Sequence, residues 1–554
     1  REQYKQLSKL SFVKSVTLVR VSKILSVQPI PATSKSGKHS TSLLSRVAHD
    51  LPLSSNCGYD PIVNEYGFAE SQLSRINVWP LHAMGFDGSG VLLGFLDAGF
   101  RWRETPSLQG THVISEYDYI FHDSITENQS EDTSTQDGHG TATLSIAVGN
   151  SPDTLVGPAY HATLLLAKTE DVRSEHHIEE DNYAAALEDM EARGVEITSS
   201  SLGYFTFDPP DASYSYADMN GHTSIVARAV ERATKLGVLV VTAMGNSGTT
   251  SEPHLDSPAD ADSILSAGAL DVDDTIADFS SRGPTSDGRI KPEICAPGVA
   301  DWFQGRDGSF GNGNGTSFAT PLISGVCCLI KQAHPEATAQ EIRRAVMVTG
   351  DKAADPDTAY GWGKLDAYAA ALELGIIAHI KNVWVDSTVH VCVGCASKFG
   401  IASATIEYDT TGHGSFISLP LSLVADSLIY NGDLPMISRG TLVRYRLMAV
   451  DSSGKSAFAP AIGWDSIIVA PFPESSLAIT VAPSPAADHF TLDANEPGDW
   501  NIYDDAGRLM ASGSVQSVYT HVNIPIRLLA NGPYYLEFIS HSGETKTVAI
   551  VVGH

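Results

Sequence analysis

The hydrophobic and polar positions of the chain change their pattern near residue 374. Before it, short apolar runs alternate with segments whose apolar residues recur at i, i+3 and i+4, which predicts strands alternating with helices. Gly194 and Gly237 follow two of the helical segments, as is typical of helix ends. The predicted strands are 91–96, 163–167, 195–199 and 238–242, and the predicted helices include 182–193 and 223–235.

This alternation predicts an α/β fold with a mainly parallel sheet and helices on both faces. Ligands of such sheets bind at the carboxyl ends of the strands. After residue 374, short runs of period-two alternation predict two small all-β domains. The expected order is a helix and strand at 1–30, a linker at 31–69, the α/β domain at 70–376, a β-sandwich at 377–472 and a last β-domain at 473–554.

Three residues stand in settings that suit nucleophilic catalysis. Ser317 opens an apolar helix after a glycine-rich segment, His139 opens another helical stretch, and Asp97 closes the first predicted strand. A serine hydroxyl needs a base beside it, and a third group must orient that base. Taken singly, each residue has an ordinary interpretation, as a helix cap, a loop histidine or a surface residue at a strand end.

Together, in the chain order Asp, His, Ser, these contexts resemble the subtilisin-like serine proteases, or subtilases. The resemblance covers residues 70–376 and implies a secreted serine endopeptidase that cleaves peptide bonds of proteins through an acyl-enzyme. It also implies that Asn246, after the strand at 238–242, is an oxyanion-hole amide. The competing interpretation is a catalytically silent, subtilase-shaped surface adhesin or binding protein.

The same resemblance implies where a substrate would lie. Residues 199–203 look like the family's substrate-binding strand, whose backbone would pair with an extended peptide. The segments 201–203 and 243–245 suggest an open pocket with small walls, which weakly favours a large apolar side chain before the cut bond. The predicted substrate-binding residues are Ser201, Leu202, Gly203, Ala243, Met244 and Gly245.

Charge and cysteine content narrow the class of protein. The net charge of -29, from 36 Lys and Arg against 65 Asp and Glu, argues against nucleic acid as a partner. No apolar run is long enough to predict a membrane-spanning segment. Six cysteines in 554 residues are too few for a disulfide scaffold. Cys327 and Cys328 are predicted packing residues, whereas Cys392 and Cys395 are either a local disulfide or two reduced thiols.

No metal or other cofactor is expected for the chemistry. Acidic runs at 256–262 and 271–274 offer oxygen atoms of the kind that bind structural calcium, as in many subtilases. Their spacing matches no calcium loop, so the expectation is that both runs form solvated turns.

The two ends of the chain carry further resemblances. Residues 1–30 resemble the tail of a subtilase propeptide, which implies the propeptide as an inhibitory partner. The alternation at 440–451 resembles a fibronectin type III or related sandwich. Segments at 482–488, 501–508 and 529–535 resemble the C-terminal sorting domain of type IX secretion in Bacteroidota, which implies the secretion machinery as a partner and a location outside the cell or on its surface.

Overall fold

The computed structural model of the chain describes residues 66–553, apart from gaps at 251–254, 386–387, 426, 436, 438–440, 462, 470–478, 483–485, 487–488, 516–521, 528 and 542–544. The predicted propeptide remnant and most of the predicted linker lie outside the described residues. Within them the chain divides into two compact units, one of residues 66–81 and 87–374 and one of residues 82–86 and 375–553.

The first unit is built on a seven-stranded parallel sheet in the order β2-β5-β1-β6-β7-β8-β9. The strands are β1 Leu92–Asp97, β2 His112–Asp118, β3 Asn150–Ser151, β4 Leu155–Val156, β5 Thr163–Lys168, β6 Ile197–Ser200, β7 Leu239–Ala243, β8 Leu265–Leu270, β9 Ile294–Pro297, β10 Val299–Gln304 and β11 Phe310–Asn314. The helices of residues 66–374 are α1 Glu70–Arg75, α2 Trp79–Ala83, α3 Gly138–Val148, α4 His177–Ala192, α5 Ile225–Lys235, α6 Thr316–Ala333, α7 Ala339–Val348 and α8 Ala367–Leu374.

The central strands form because their residues are apolar on both faces. Every residue of β7 and of β8 is buried, as expected for a parallel sheet that helices cover. Helices α4 and α5 pack into one core cluster with residues of β1, β5 and β7, and α6 contacts β6 to β9. The sheet confirms the predicted α/β fold.

The four predicted strands are present with bounds that differ by two residues or fewer. The predicted helix 182–193 instead begins at His177, because a polar first turn hid its start. There Glu179 accepts a hydrogen bond from the His176 backbone N–H at 3.0 Å, which caps the helix. Gly194 and Gly237 have φ of +81° and +108°, which confirms the predicted helix ends.

The second unit consists of antiparallel sheets with two separate apolar cores. Nine strands surround the first core: β12 Ile377–Val385, β13 Val389–Ala396, β14 Ile401–Asp409, β15 Ile417–Pro420, β16 Ser422–Leu423, β17 Ile429–Asp433, β18 Leu442–Asp451, β19 Ser456–Ala459 and β20 Asp465–Ile468. Seven belong to the second: β21 Ile479–Ala482, β22 His489–Ala494, β23 Gly498–Tyr503, β24 Leu509–Val515, β25 Val522–Pro525, β26 Gly532–Ser540 and β27 Thr545–Val552. The predicted all-β character is confirmed.

The positions of the cysteines test the predictions of buried packing residues and of a local disulfide or two reduced thiols. Cys327 and Cys328 are fully buried packing residues, as predicted. In the described part of the chain, no disulfide joins Cys392 to Cys395. They are three residues apart on β13, so their side chains point to opposite faces of the sheet and cannot join to each other or share a ligand. Among the described helices, none is long and apolar enough to cross a membrane.

Candidate active site

Three neighbouring strands bring the predicted site residues to one edge of the sheet. Strand β1 ends at Asp97, β6 at Ser200 and β7 at Ala243, and β6 pairs in parallel with both of the others. Because parallel strands share one direction, the residues that follow these three ends lie side by side.

Asp97 is fully buried, and the protein satisfies both of its carboxylate oxygens. Its Oδ1 accepts from the backbone N–H of Ala98 at 2.7 Å and lies 2.8 Å from His139 Nδ1. Its Oδ2 accepts from Thr143 Oγ1 at 3.2 Å. Helix α3 approaches closely because Gly140 has no Cβ, which would lie 3.0 Å from the Asp97 Cβ. The pairing fixes the plane of the imidazole.

The electrostatic surroundings of His139 favour its positive form. Burial lowers the pKa of His139, but the charge and hydrogen bond of Asp97 and the charge of Glu170 raise it, and the net pKa lies above the ordinary 6.5. With Nδ1–H held by a carboxylate, the neutral ring offers Nε2 as a proton acceptor.

Ser317 lies at the start of α6, as its second residue. Its Oγ donates to the Ser201 carbonyl at 3.4 Å, and Ser201 Oγ donates to the Ser317 carbonyl at 2.8 Å. So close to a helix N-terminus, the Ser317 backbone N–H has no intrahelical acceptor, and negative charge beside it is favoured. Within the described residues no hydrogen bond joins Ser317 to His139, although α3 and α6 pack together. Such bonds are often long before substrate binds.

Asn246 is held beside Ser317 by one end of its amide. Its Oδ1 accepts from the backbone N–H of Thr316 at 3.0 Å and lies 3.2 Å from Thr316 Oγ1. The residue is exposed, and its Nδ2 has no acceptor among the described residues. An amide anchored by its oxygen therefore directs two unused N–H donors away from Thr316.

The predicted substrate segment 201–203 follows β6 directly. Ser201 is buried against Ser317, Leu202 is partly buried, and Gly203 is exposed. The segment thus borders the serine with an exposed backbone at its far end.

The predicted segment 243–245 follows β7. Gly245 has φ of +104° and donates its N–H to Thr316 Oγ1 at 3.2 Å, so it also borders the serine. The side chain of Met244, the residue before Gly245, is fully buried in a cluster with Met219 and Leu255.

Three residues with clear roles in this geometry were missed from the sequence. Thr143 stands four residues after His139 on one helix face, a spacing that could have identified it. Thr316 precedes Ser317 directly. Asp256, whose side chain lies against Gly203 and Gly245, gave no signal, because it belongs to a run of acidic residues that resembled a surface turn.

The acidic runs at 256–262 and 271–274 were predicted to form solvated turns, and the structure gives the contacts of both. Asp260, in the run 256–262, is fully buried and accepts from the Gly221 N–H at 2.6 Å, so the prediction of a solvated turn is wrong for it. It is buried because it binds this backbone group. In the other run, Asp274 pairs with Arg75 and with Lys364, the latter at 2.6 Å. Calcium at either run stays a prediction.

Another carboxylate group has the geometry to hold a metal ion. In the described part of the chain, oxygen atoms of Glu170, Glu175 and Glu179 lie within 4.8 Å of one another. Burial raises the pKa of Glu170 to about 8, and hydrogen bonds from Tyr204 and Thr169 only partly oppose this effect. Burial also raises the pKa of Glu179, to about 10. Hydrogen bonds from the backbone N–H groups of Asp171 and His176 hold the Glu179 carboxyl in place.

Comparison with known proteins identifies the class of enzyme. Residues 88–363 match the family model of the subtilase family. Serine protease AprX of Bacillus subtilis (strain 168) is 32% identical over 311 residues, which cover 50% of this chain and 66% of AprX. Subtilisin BL of Lederbergia lenta is 30% identical over 303 residues, 54% of this chain and 97% of its own. The chain belongs to the subtilase family and is a subtilisin-like serine peptidase.

Other matches complete the comparison. Residues 480–552 match the family model of a secretion system C-terminal sorting domain. The protein is therefore secreted or attached to the cell surface. Among solved structures, the prenylagaramide maturation protease PagA covers 53% of this chain and 96% of its own, at 24% identity and a TM-score of 0.42.

Proposed function

We propose that the protein is an endopeptidase that cleaves peptide bonds through an acyl-enzyme on Ser317. The observation that supports this most strongly is the 2.8 Å contact between His139 Nδ1 and the buried Asp97 Oδ1. It orients an imidazole base at the sheet edge where Ser317 and Asn246 also lie.

In the first half of the reaction, Ser317 Oγ bonds to the carbonyl carbon of the substrate while its proton passes to His139 Nε2. The C–N bond then breaks, and His139 returns the proton to the leaving amine. Asp97 keeps Nδ1 protonated and stabilises the imidazolium. In the second half, water attacks the carbonyl carbon of the ester and gives a proton to His139. The C–O bond to Ser317 then breaks as His139 passes this proton to Ser317 Oγ, which releases the acid and the free Ser317 hydroxyl.

Negative charge develops on the former carbonyl oxygen in both halves. The Ser317 backbone N–H and the unused Nδ2 donors of Asn246 are the groups suited to stabilise it. An extended peptide would lie along 201–203, where its backbone can pair with the chain. The proposed steps use only the groups named above and need no metal ion.

Replacement of the serine tests the proposal. Ser317→Ala should abolish peptide hydrolysis, because the attacking oxygen is lost and little else changes. Ser324→Ala is the matched control, since its hydroxyl lies on the same helix and, among the described residues, bonds to the Pro321 carbonyl at 3.1 Å. If Ser317→Ala kept more than about a tenth of the kcat/KM of the wild type, the assignment would be wrong.

A further inference from the structure

A carboxylate lies between the two segments that border the serine. A Cβ on Gly203 would lie 2.6 Å from the Asp256 Cβ, and a Cβ on Gly245 would lie 2.8 Å from the Asp256 Cγ. The Asp256 backbone N–H also donates to the Met244 carbonyl at 3.2 Å. Both glycines are therefore needed to seat this one side chain.

Nothing in the described part of the chain satisfies the Asp256 carboxylate. The side chain is partly buried, and no described residue donates a hydrogen bond to it or forms an ion pair with it. Burial alone raises the pKa of Asp256 to about 7. A partly buried acid without a partner costs free energy that a structural role would not require.

The neighbouring charges have the same sign. Glu175 has its pKa raised to about 7 by burial first, and then by the charges of Asp208, Asp256 and Glu180. The charge of Asp256 thus acts on one further carboxylate, that of Glu175, and a site between like charges suits a cationic group.

The position of Asp256 determines which substrate residue it can meet. Ser201 forms a hydrogen bond with Ser317, and Gly245 forms one with Thr316, the residue before Ser317. Both segments therefore flank the attacking oxygen. The substrate residue whose carbonyl is attacked must place its side chain between them.

We propose that Asp256 is a specificity-determining residue that binds an arginine or lysine side chain immediately before the cut bond. This inference rests on the proposed function. An apolar side chain, which the small pocket walls alone favoured, would leave the carboxylate buried and unpaired. A cation supplies the missing partner, and arginine can donate two hydrogen bonds to it.

Matched peptides test this specificity. Peptides identical except for arginine, neutral citrulline or phenylalanine before the cut bond separate charge from shape. The wild type should favour arginine over citrulline by about 100-fold in kcat/KM, and Asp256→Asn should reduce that ratio to about threefold or less. Hydrolysis of the phenylalanine peptide by Asp256→Asn should persist, which shows that the variant is folded and active.

Asp262→Asn is the matched control, because it removes the same charge from the same segment at an exposed carboxylate, 3.9 Å from Arg289. It should keep the preference for arginine. Equal rates on arginine and citrulline in the wild type would overturn the inference, as would a preference that survives Asp256→Asn.

A binding measurement separates this inference from the proposed function. In Ser317→Ala protein, fluorescent peptides ending in arginine or citrulline should differ in affinity by at least about tenfold. Such a difference without hydrolysis in the wild type would support the pocket and contradict the catalytic proposal. Hydrolysis of the phenylalanine peptide with no difference in binding would support catalysis and overturn the pocket.

Discussion

Asp97 and Asp256 are two carboxylates in the first unit, of which Asp97 is fully buried and Asp256 is partly buried. Asp97 receives hydrogen bonds from a backbone N–H, a threonine and the imidazole of His139. Asp256 receives none from the described residues, and burial raises its pKa to about 7. The difference teaches how to separate two roles: a buried acid with internal partners positions another group, whereas one without partners is available to a ligand.

Replacing Asp97 should give the largest effect. Asp97→Asn keeps the shape but offers His139 an amide that can hold the wrong tautomer, so kcat should fall by about 10⁴-fold. Asp87→Asn is the matched control, since Asp87 pairs with His161 Nδ1 at 2.7 Å on the surface. Steady-state kinetics on one peptide measure both. If kcat fell equally in the two variants, the pairing of Asp97 with His139 would have no special role in catalysis, and the proposed role of Asp97 would be wrong.

Asn246 has a group with an internal partner and a group without one in the same side chain. Its Oδ1 accepts a hydrogen bond from Thr316, whereas its Nδ2 has no acceptor among the described residues. Asn246→Asp keeps the acceptor for the Thr316 N–H and removes the donors. Its kcat should fall by about 10²- to 10³-fold with little change in KM, a magnitude taken from a subtilisin. Since the acceptor is kept, a loss confined to KM would count against a role in stabilising the oxyanion.

The smallest effect should be on the thermal stability of Asp256→Asn, and it should be a gain, whereas the replacements above cause losses of activity. The pKa of Asp256 is raised from 3.8 to about 7, so ionisation destabilises the fold as pH rises through this interval, and the full penalty is present above it. Asp256→Asn cannot ionise. By thermal unfolding, its Tm should exceed that of the wild type by a few degrees at pH 8, and the difference should shrink at pH 5.

Asp262→Asn, at an exposed position, should show no such dependence on pH. A Tm of Asp256→Asn below that of the wild type at pH 8 would mean that the carboxylate has a stabilising partner, and the contrast with Asp97 would then be lost.

The parts of the site that the sequence predicts are those tied to local pattern. Asp97 follows an apolar run that had to be a strand, and Ser317 opens an apolar helix. The orientation of Asn246 depends on Thr316, 70 residues away, so no local pattern reveals it. Asp256 lies beside Gly203 only after the chain has folded. Its burial depends on packing against distant backbone, which composition alone cannot indicate.

Covalent labelling tests the central claim most directly. A fluorophosphonate reacts with a serine only when a base and an oxyanion site activate it. We expect one label on each folded chain, located at Ser317 by peptide mass spectrometry, and we expect the label to be lost in His139→Ala. Absence of the label from the folded wild type would contradict the claim and favour a catalytically silent adhesin, and undiminished labelling of His139→Ala would exclude His139 as the base.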